Sequence, residues 1–434
     1  MSGFDLKSTS SDTGADMHQW ATDLFPICRS LTGDGVRSTL RYLQQLLPAL
    51  KIFEIPSGTR AFDWEVPREW VIRDAYIADI DENRLVDFKT NNLHVVGYST
   101  SVDAVLSRAE LDEHLHSLPE VPHAIPYVTS YYSETWGFCL SHEQRSKLGE
   151  GPFRVFIDSE HKVGSLTYGE LIIPGHTSDE ILLSTYVCHP SMANNELSGP
   201  VVTTALARWI LGLEDRHYTY RIVMVPETIG SVVYLSLHLP HLQEHLKAGW
   251  VLTCIGDDRA YSYLPSPSGV TFADRVSKKV MSKLNHRFDE YSFLDRGSDE
   301  RQYCSPGVDL PVVSLMRSKY GTYPEYHTSL DDLSLVTPKG LQGGLDMMKA
   351  VIDELESNPR WRSTVLGEPQ MGKRGLYPTT STLTSVLEVY DMMNVLALCD
   401  GTYDTEELAS ICSIAVSKVE EIVNRLFAAG VLSR

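Results

Sequence analysis

The sequence predicts an α/β fold: a mostly parallel sheet with helices on both faces, a small β-rich inserted domain and a C-terminal winged-helix domain. Three observations predict it. Four unbroken apolar runs lie between residues 180 and 317, helical patterns separate them, and a β-rich segment and a purely helical segment lie on either side. Apolar runs without alternation are typical of parallel strands buried on both faces. Helices between such strands complete the pattern of a parallel sheet.

The first elements of the chain are helical. Residues 17–50 place apolar side chains at three- and four-residue spacing, and the sequence TGDG at residues 32–35 interrupts them with a turn signal. From about Phe62 the pattern changes to short segments rich in β-branched and aromatic residues, namely WVIRDAYIADI, RLVDFK and LHVVGYS. We therefore predict a β-rich insertion that ends near Gly151.

The four apolar runs define the large domain. They read EILLSTYVCH, YRIVMVPE, GWVLTCIGD and LPVVSLMR, and helical stretches over residues 199–213, 273–284 and 338–355 lie between or after them. Alternation of strand and helix predicts βαβ winding. With 434 residues, the chain has room for two to four domains. The predicted division is an α/β domain over 1–60 and 152–362, an insertion over 61–151, a linker over 363–378 and a last domain over 379–434.

The last domain shows three helical segments joined by short turns, which predicts a helix-turn-helix or winged-helix unit. Its final helix carries Lys418 and Arg425 against Glu420 and Glu421, so it has no basic stripe. We therefore predict a packing or protein-interaction module in preference to a DNA-binding one.

Composition excludes several classes of protein. A hydrophobic fraction of 42 % with 22 % charged residues is that of an ordinary globular chain and not of a disordered one. The formal net charge of −19 repels phosphate backbones, so no nucleic-acid partner is expected. The first 20 residues lack the apolar run of a signal peptide, no run reaches the roughly 18 residues of a membrane span, and the seven cysteines show no CxxC spacing. We expect a cytoplasmic protein without a membrane partner.

Polar residues follow three of the apolar runs at the point where each ends. His189 ends the first run, Glu227 the second, and Asp257 with Asp258 the third. Because the carboxyl ends of parallel strands meet at one edge of a sheet, these side chains are expected to converge there. Imidazole and carboxylate groups together are a ligand set for zinc that leaves a position for water.

Two further segments carry candidate residues. His327 lies in a loop after the fourth run, followed by Asp331 and by Asp332, which is better explained as a helix-start charge. The stretch Gly297–Tyr303 contains five consecutive polar side chains, for which we favour a binding or catalytic role over a solvated turn. Cys188 precedes His189 on the strand, points to the opposite face and is expected in the core; Cys304 is also expected there. No GxSxG or GxxxxGK[ST] motif occurs.

The motifs resemble those of a known family. HPSMANNELSG, PETIGS and YHTSLDD are similar to the strand-end His, Asn-rich turn, glutamate and late His-Thr-x-x-Asp of the zinc aminopeptidases. More closely, the chain resembles aminopeptidase-like proteins with an inserted β domain and a C-terminal winged helix, sometimes labelled polysaccharide-biosynthesis proteins. This resemblance extends over almost the whole chain and includes CRSLTGDGVRSTL, IPYVTSYYSETWGFCL and GSDERQYCSPGVDLPV. It implies a zinc-aminopeptidase-like sheet.

The resemblance also implies site residues. His189, Glu227 and His327 fall on metal-binding positions, whereas the metal-bridging aspartate of two-zinc enzymes falls on Asn195, so one zinc ion per chain is expected. The usual glutamate pair appears as Pro226-Glu227, which leaves Glu227 or Glu300 as the proton shuttle. A later aspartate ligand of the family falls on Thr253, so Asp257 remains at most an additional ligand.

The sequence thus predicts a metal-dependent aminopeptidase-like hydrolase that cleaves an amide or peptide bond. The predicted substrate-binding residues are Asn195, Asp299, Arg301 and Gln302. The predicted substrate is a small peptide or an aminoacyl small molecule, and a biosynthetic intermediate is one version of it. A catalytically impaired metal-binding scaffold that acts through protein interaction remains the alternative, and a homo-oligomer is left open.

The aromatic residues of the insertion allow two interpretations. They either roof the substrate crevice or form the small core of the inserted domain, which is the favoured account for any single one of them. The residues concerned are Trp64, Trp70, Tyr131, Tyr132 and Trp136.

Overall fold

The structure is a computed structural model that describes residues 13–284, 287–358, 360–377 and 383–433, with the side chains of 383–385 excepted. The described chain falls into two compact units, of which the first ends at Ala350 and the second begins at Val351. The α-helices are α1 Thr13–Leu24, α2 Asp34–Leu46, α3 Arg108–Asp112, α4 His142–Lys147, α5 Ser198–Leu211, α6 Ile229–His245, α7 Phe272–Lys283, α8 Glu300–Tyr303, α9 Pro338–Ser357, α10 Leu383–Ala397, α11 Thr405–Cys412 and α12 Val416–Ala428.

Strands and short helical turns complete the secondary structure. The strands are β1 Lys51–Pro56, β2 Arg60–Ala61, β3 Trp64–Glu65, β4 Glu69–Ala78, β5 Arg84–Asp87, β6 Val102–Leu106, β7 Leu115–His116, β8 Phe138–Cys139, β9 Phe153–Lys162, β10 Ser165–Ile173, β11 Glu180–Tyr186, β12 Thr219–Val225, β13 Leu246–Val251, β14 Ser262–Leu264, β15 Asp289–Glu290, β16 Val312–Met316, β17 Arg362–Ser363 and β18 Leu432–Ser433. A π-helical turn spans Ala193–Leu197, and 3-10 turns span Asn92–His94, Phe293–Asp295 and Gly372–Arg374.

The large sheet has eight strands in the order β1-β10-β12-β11-β13-β16-β14-β15. The four predicted apolar runs form β11, β12, β13 and β16, which are neighbours and run parallel, and this confirms the predicted fold class. Antiparallel strands β10 and β14 close the parallel group on its two sides. Every residue of β11 is buried, as the unbroken apolar run predicts.

Helix α5 packs tightly over the carboxyl ends of the parallel strands. A Cβ atom on Gly199 would lie 2.3 Å from the carbonyl oxygen of Leu252 and 2.3 Å from Oγ1 of Thr185. Such distances are far below van der Waals contact, so the absence of a side chain at this position allows the helix to approach the sheet. The same approach brings the turn that precedes α5 against the strand ends that carry the candidate site.

The small sheet is antiparallel, in the order β5-β4-β9-β6. Its last strand, β9, begins after Gly151, so the sheet of the insertion continues past the predicted boundary to Lys162. The predicted strand LHVVGYS is wrong. Asn91 accepts a hydrogen bond from the backbone N–H of Leu93 and starts a 3-10 turn, and isolated bridges follow it. The hydrogen bond to the Asn91 side chain favours a turn over an extended strand at these residues.

The second unit contains α10, α11, α12 and the paired strands β17 and β18, as a winged helix requires. Its core includes Val395, Leu408, Val423 and Leu426. Met371 and Leu376, within the predicted linker, are buried in the same core, so this part of the segment packs instead of connecting. The predicted linker ends at residue 378, which lies outside the described residues.

No helix in the described ranges is both long enough and apolar enough to cross a lipid bilayer.

A buried ion-pair network joins three strands of the large sheet. Arg221 on β12 donates from Nε to Glu180 on β11 at 2.6 Å and from Nη1 to Glu170 on β10 at 2.6 Å. Burial raises the pKa of Glu180, but hydrogen bonds from Arg221 outweigh burial and hold the pKa below its usual value. The pair therefore stabilises the sheet fully above the unfolded-state pKa of about 4.3, and this stabilisation is lost as the pH falls through the native pKa.

Replacing Arg221 by methionine is expected to lower the free energy of unfolding by about 3–5 kcal/mol at pH 7, because two carboxylates then remain buried without their cation. The loss should shrink at acidic pH as the carboxyls become protonated. Urea unfolding at pH 7 and below pH 4 measures both values. The matched control is Arg73→Met, since Arg73 pairs with Asp158 at 2.8 Å on the exposed surface, where a pair contributes about 0–1 kcal/mol.

Candidate metal centre

A cavity of about 360 Å³ lies where β11 and β12 end. Four of the nine predicted catalytic, metal-binding and substrate-binding residues line it: His189, Glu227, Arg301 and His327. The remaining lining residues are Leu31, Trp64, Tyr127, Thr129, Tyr131, Tyr132, Cys188, Thr228 and Ile229. The strand-end rule thus brings His189 and Glu227 together at the expected edge of the sheet.

His189 is held between two carboxylates. Its Nε2 lies 3.5 Å from Oε2 of Glu227, and its Nδ1 lies 2.8 Å from Oε2 of Glu196. Burial lowers the pKa of His189, but Cys188 and Glu196 beside Nδ1 outweigh burial and raise it well above its usual value. Both carboxylates therefore favour a positive charge on or beside this ring. A carboxylate that orients a histidine through its second nitrogen is the usual outer partner of a metal-binding histidine.

A tighter group of potential ligands, the inner group, lies around Nδ1 of His189. Its Cys188 lies 3.4 Å from that atom and also lines the cavity, so the prediction that Cys188 points to the opposite face from His189 is wrong. Within the described residues, the ligand atoms of Cys188, His189 and Glu196 all lie within 4.8 Å of one another. The guanidinium of Arg29 is fully buried and lies 3.6 Å from Glu196, where it opposes a second cation. Burial raises the pKa of the Cys188 thiol to about 11, which disfavours the thiolate that a metal needs. We therefore interpret this inner group at Nδ1 as the support of His189, and the Nε2 side, where Glu227 lies, as the metal side.

His327 completes the candidate ligand set. Its ring centre lies 5.6 Å from that of His189, with 42° between the ring planes. Two imidazoles bound to one tetrahedral zinc at Zn–N distances of about 2.0–2.1 Å have ring centres roughly 5 Å apart, so the two rings need only a small adjustment. Burial, followed by the charge of His189, lowers the pKa of His327 to about 3. The ring is therefore neutral at ordinary pH, which is the form that binds a metal.

The insertion holds the loop of His327 in place. The backbone N–H of Tyr127 donates to the carbonyl of His327 at 2.9 Å, and that of Ser329 donates to Ile125 at 2.9 Å. His327 has a φ of 56°, in the left-handed region that non-glycine residues rarely adopt. Thr228, beside Glu227, has a φ of 64°. Such strain accumulates at functional sites and persists because the surroundings enforce it.

Glu227 and Arg301 supply the charges of the cavity. The side chain of Glu227 is 18 % exposed, and burial raises its pKa above the usual value although His189 and Arg301 oppose the shift. Nη2 of Arg301 donates to Oγ1 of Thr228 at 2.6 Å, which anchors the guanidinium at the cavity wall. The cavity therefore offers a proton acceptor and a separate cationic group.

Glu300 does not fit its predicted role as the base. It is fully buried and does not line the cavity. Its carboxylate accepts hydrogen bonds from the backbone N–H groups of Gly297 and Ser298 and from the hydroxyls of Tyr320 and Ser314. Four donors occupy this carboxylate, so it stabilises the loop before α8 instead of meeting a substrate. The sequence shows that Glu300 is polar, but it does not show that the hydroxyl of Tyr320, 20 residues later, binds its carboxylate.

Asp299 supports the loop of Glu227 from behind. Its Oδ1 accepts hydrogen bonds from the N–H of Thr228 and from the hydroxyl of Ser231, both at 2.8 Å. Burial, and then the nearby charge of Glu227, raise the pKa of Asp299 to about 7. Asp299 is fully buried and does not line the cavity, so its contacts indicate a positioning role in place of the predicted substrate contact. Gln302 does not line the cavity either.

Asn195 and Asp257 also lie outside the cavity lining. Nδ2 of Asn195 donates to the hydroxyl of Tyr186 at 2.8 Å. The carboxylate of Asp257 accepts hydrogen bonds from Nδ2 of Asn194 and from the N–H and hydroxyl of Ser318, at 2.8–3.0 Å. These contacts fix the turn before α5, so the predictions of a substrate contact for Asn195 and of a metal contact for Asp257 do not match their positions.

The aromatic residues of the insertion divide between the two predicted roles. Trp64, Tyr131 and Tyr132 line the cavity. Trp70 is buried, stacks on Tyr98 with ring centres 5.8 Å apart and donates from Nε1 to the carbonyl of Ser99. Trp136 stacks on His114 away from the cavity.

Glu196 and Tyr127 are the functional candidates that sequence reasoning missed. Glu196 lies in the motif HPSMANNELSG, seven residues after His189. The family resemblance assigned the metal-bridging position to its neighbour Asn195, and Glu196 received no predicted role. The carboxylate of Asp331 accepts backbone N–H groups of residues 193–195 and shapes the π-helical turn that brings Glu196 to His189. An acidic residue seven positions after a predicted histidine ligand was the available signal.

Comparisons with known proteins agree with this architecture. A family model described as a domain of unknown function, DUF4910, matches residues 18–358, and a winged helix-turn-helix model matches residues 359–434. A Clostridium acetobutylicum protein is 40 % identical over 420 residues, 96 % of each chain. It carries the provisional name of a polysaccharide biosynthesis protein with aminopeptidase-like domain.

Solved structures extend the similarity. The crystal structure of a provisionally named peptidase from Clostridium acetobutylicum is 38 % identical, with a TM-score of 0.82 over 97 % of this chain and 96 % of that chain. A peptidase M28 precursor from Shewanella amazonensis is 14 % identical, with a TM-score of 0.58 over 84 % and 96 % of the two chains. A zinc aminopeptidase from Bacillus subtilis is 12 % identical, with a TM-score of 0.56 over 81 % and 96 %. The last two similarities establish a shared fold.

Proposed function

Because this chain belongs to the family described as domain of unknown function DUF4910 and has an aminopeptidase-like fold, we propose that it is a zinc-dependent hydrolase that cleaves an amide bond of an aminoacyl substrate. The single observation that carries the proposal is the meeting of His189, Glu227 and His327 at one cavity. Two imidazoles and one carboxylate are the ligand set of several catalytic zinc sites, with a fourth position left for water.

His189, Glu227 and His327 would hold the ion, and Glu196 would orient His189. Zinc bound there supplies a Lewis acid for the substrate carbonyl and lowers the pKa of water to about 7. The donor set of this chain fits one such ion, since Asn195 supplies no carboxylate and points to Tyr186.

Glu227 handles the proton in this proposal. Its carboxylate accepts a proton from the attacking water as the water oxygen bonds to the carbonyl carbon. It then delivers that proton to the amine nitrogen as the C–N bond breaks.

Arg301 and the aromatic wall define the substrate. The guanidinium of Arg301, anchored on Thr228, can hold a carboxylate or another oxyanion of the substrate in a two-point contact. Tyr127 and Tyr131, whose hydroxyls are 3.0 Å apart, form an aromatic wall of the cavity. An aminoacylated biosynthetic intermediate fits these features and agrees with the provisional name of the Clostridium acetobutylicum relative.

A substrate panel tests the reaction. The zinc-loaded chain is incubated with aminoacyl amides, dipeptides and aminoacyl sugars, and release of the free amino acid is measured. We expect turnover of at least one class, with preference for substrates that carry an anionic group near the scissile bond. Zinc-loaded protein that turns over none of them would support the alternative of a binding scaffold.

Replacing Glu196 by glutamine is expected to weaken zinc binding about 10–100-fold, because the neutral amide no longer favours positive charge on His189. Competition with a zinc chelator of known affinity measures the change. Cys188→Ala is the matched control on the other inner partner, and it should retain the affinity of the unmodified chain. Equal losses for both variants would contradict our interpretation of the inner group.

A further inference from the structure

A second cavity, of about 660 Å³, lies near the carboxyl end of β16 and the start of α9. It shares no lining residue with the candidate metal centre. Four of its lining residues are cationic: Arg259, Arg287, Arg317 and Lys339. We call it the Arg317 cavity. Arg259 is paired with Glu325 at 2.8 Å, so Arg287, Arg317 and Lys339 are the cations that remain for a ligand.

Arg317 is the residue that needs an explanation. It is only 5 % exposed, and its guanidinium lies 3.8 Å above the ring centre of Tyr261. Its Nε atom is buried without a hydrogen-bond partner. Among residues 13–284, 287–358, 360–377 and 383–433, no carboxylate forms an ion pair with this guanidinium. A buried charge without a counter-charge is costly, and it persists where a ligand supplies that charge.

Two carboxylates, Asp258 and Asp346, also line the Arg317 cavity, and neither forms an ion pair with Arg317. Asp258 faces Lys339 at 3.8 Å, and Asp346 accepts a hydrogen bond from Gln342 at 2.7 Å. Among the described residues, Arg317 is therefore left without a carboxylate partner.

The surroundings of the Arg317 guanidinium leave its edge free for a ligand. A Cβ atom on Gly343 would lie 2.3 Å from Nη1 of Arg317, so the bare helix backbone accommodates the guanidinium. One face of the guanidinium stacks on Tyr261, which leaves its edge for hydrogen bonding. A volume of about 660 Å³ far exceeds one small ion and falls in the range of metabolite-binding sites, about 300–1,000 Å³.

We infer that the Arg317 cavity binds a small phosphorylated metabolite, whose phosphate group is held by Arg317 with the help of Arg287 and Lys339. The planar guanidinium matches two phosphate oxygens, and the two flanking cations suit a dianion better than a single carboxylate. The organic part of the ligand occupies the remaining volume beside Tyr261. This inference concerns a site separate from the candidate metal centre and does not depend on the proposed reaction.

Thermal unfolding of the full chain in inorganic phosphate tests the inference. A ligand that binds the folded state raises the unfolding midpoint in proportion to the occupancy of its site. We expect a saturable rise in phosphate relative to chloride at equal ionic strength, and a smaller rise in acetate. Arg317→Met should abolish the response, and Arg287→Gln should weaken the apparent affinity about tenfold, a loss of one of the phosphate contacts.

Two surface variants serve as controls. Arg154→Gln on β9, near Asp103, and Arg73→Gln on β4, near Asp158, should both keep the full phosphate response. If Arg317→Met fails to fold, Arg287→Gln and Lys339→Gln at exposed positions decide the question. The absence of a saturable response, an equal response to acetate, or an unchanged response in the cavity variants would overturn the inference.

Discussion

Alanine at His189 or His327 is expected to reduce bound zinc from about one ion per chain to below one tenth, and to abolish amide hydrolysis with it. Each imidazole supplies one of three protein ligands, and a catalytic zinc site does not survive the loss of one of them at trace metal levels. Metal analysis after dialysis against metal-free buffer measures the stoichiometry.

The control for these variants is His176→Ala, because His176 lies on the surface next to Asp215. It should retain the full zinc content. If both ligand variants bound zinc as tightly as the unmodified chain, the assignment of the cavity as a metal centre would be wrong. If only His189→Ala lost the metal, His327 would have to be removed from the ligand set.

Glutamine in place of Glu227 is expected to lower kcat by at least about 10³-fold at saturating zinc, since an amide neither accepts the proton of water nor returns it to the leaving amine. Zinc affinity should also fall, because the ligand set loses its charged member. The rate is therefore measured with excess zinc over the chain, and bound metal is determined in the same sample.

Glu160→Gln provides the comparison, because Glu160 lies on the exposed side of β9 and faces Arg73. Its rate should equal that of the unmodified chain. Should Glu227→Gln keep a rate within tenfold of normal while zinc remains bound, another group must carry the proton. Asp299 behind the Glu227 loop would then be the next residue to replace.

The positions of His189 and Glu227 at one edge of the sheet could be predicted from the sequence, because they depend on a local apolar pattern and on one geometric rule. An unbroken apolar run predicts a buried parallel strand, and parallel strands end at the same edge. His189 and Glu227 follow two such runs directly and therefore meet. The same rule misplaced Asp257, because Ser318 and Asn194 hold its carboxylate away from the cavity.

The rest of the site depends on contacts between distant parts of the chain. The loop of His327 takes its strained conformation from backbone pairing with residues 125–127, about 200 positions earlier. Glu300 is withdrawn from the cavity by the hydroxyl of Tyr320. Neither contact produces a periodic pattern in the sequence. The polar stretch at residues 297–303 therefore predicts a functional segment, but only the structure shows that Arg301 lines the cavity and that the other polar residues of the stretch do not.

The extent of the insertion illustrates the same limit. β9 reads as an ordinary strand, and nothing in its own sequence shows that its partners are β4 and β6 instead of the large sheet. Strand pairing over some 80 residues is decided by the packing of the whole insertion. The predicted boundary at residue 151 therefore follows the composition and not the pairing.

X-ray absorption spectroscopy at the zinc edge of the loaded protein tests the central claim most directly. A centre made of His189, Glu227 and His327 predicts one zinc per chain with nitrogen and oxygen ligands at about 2.0–2.1 Å, two of them imidazoles. A sulfur ligand at about 2.3 Å would place the ion at Cys188, beside Nδ1 of His189. That result, or a protein that binds no zinc, would contradict the account.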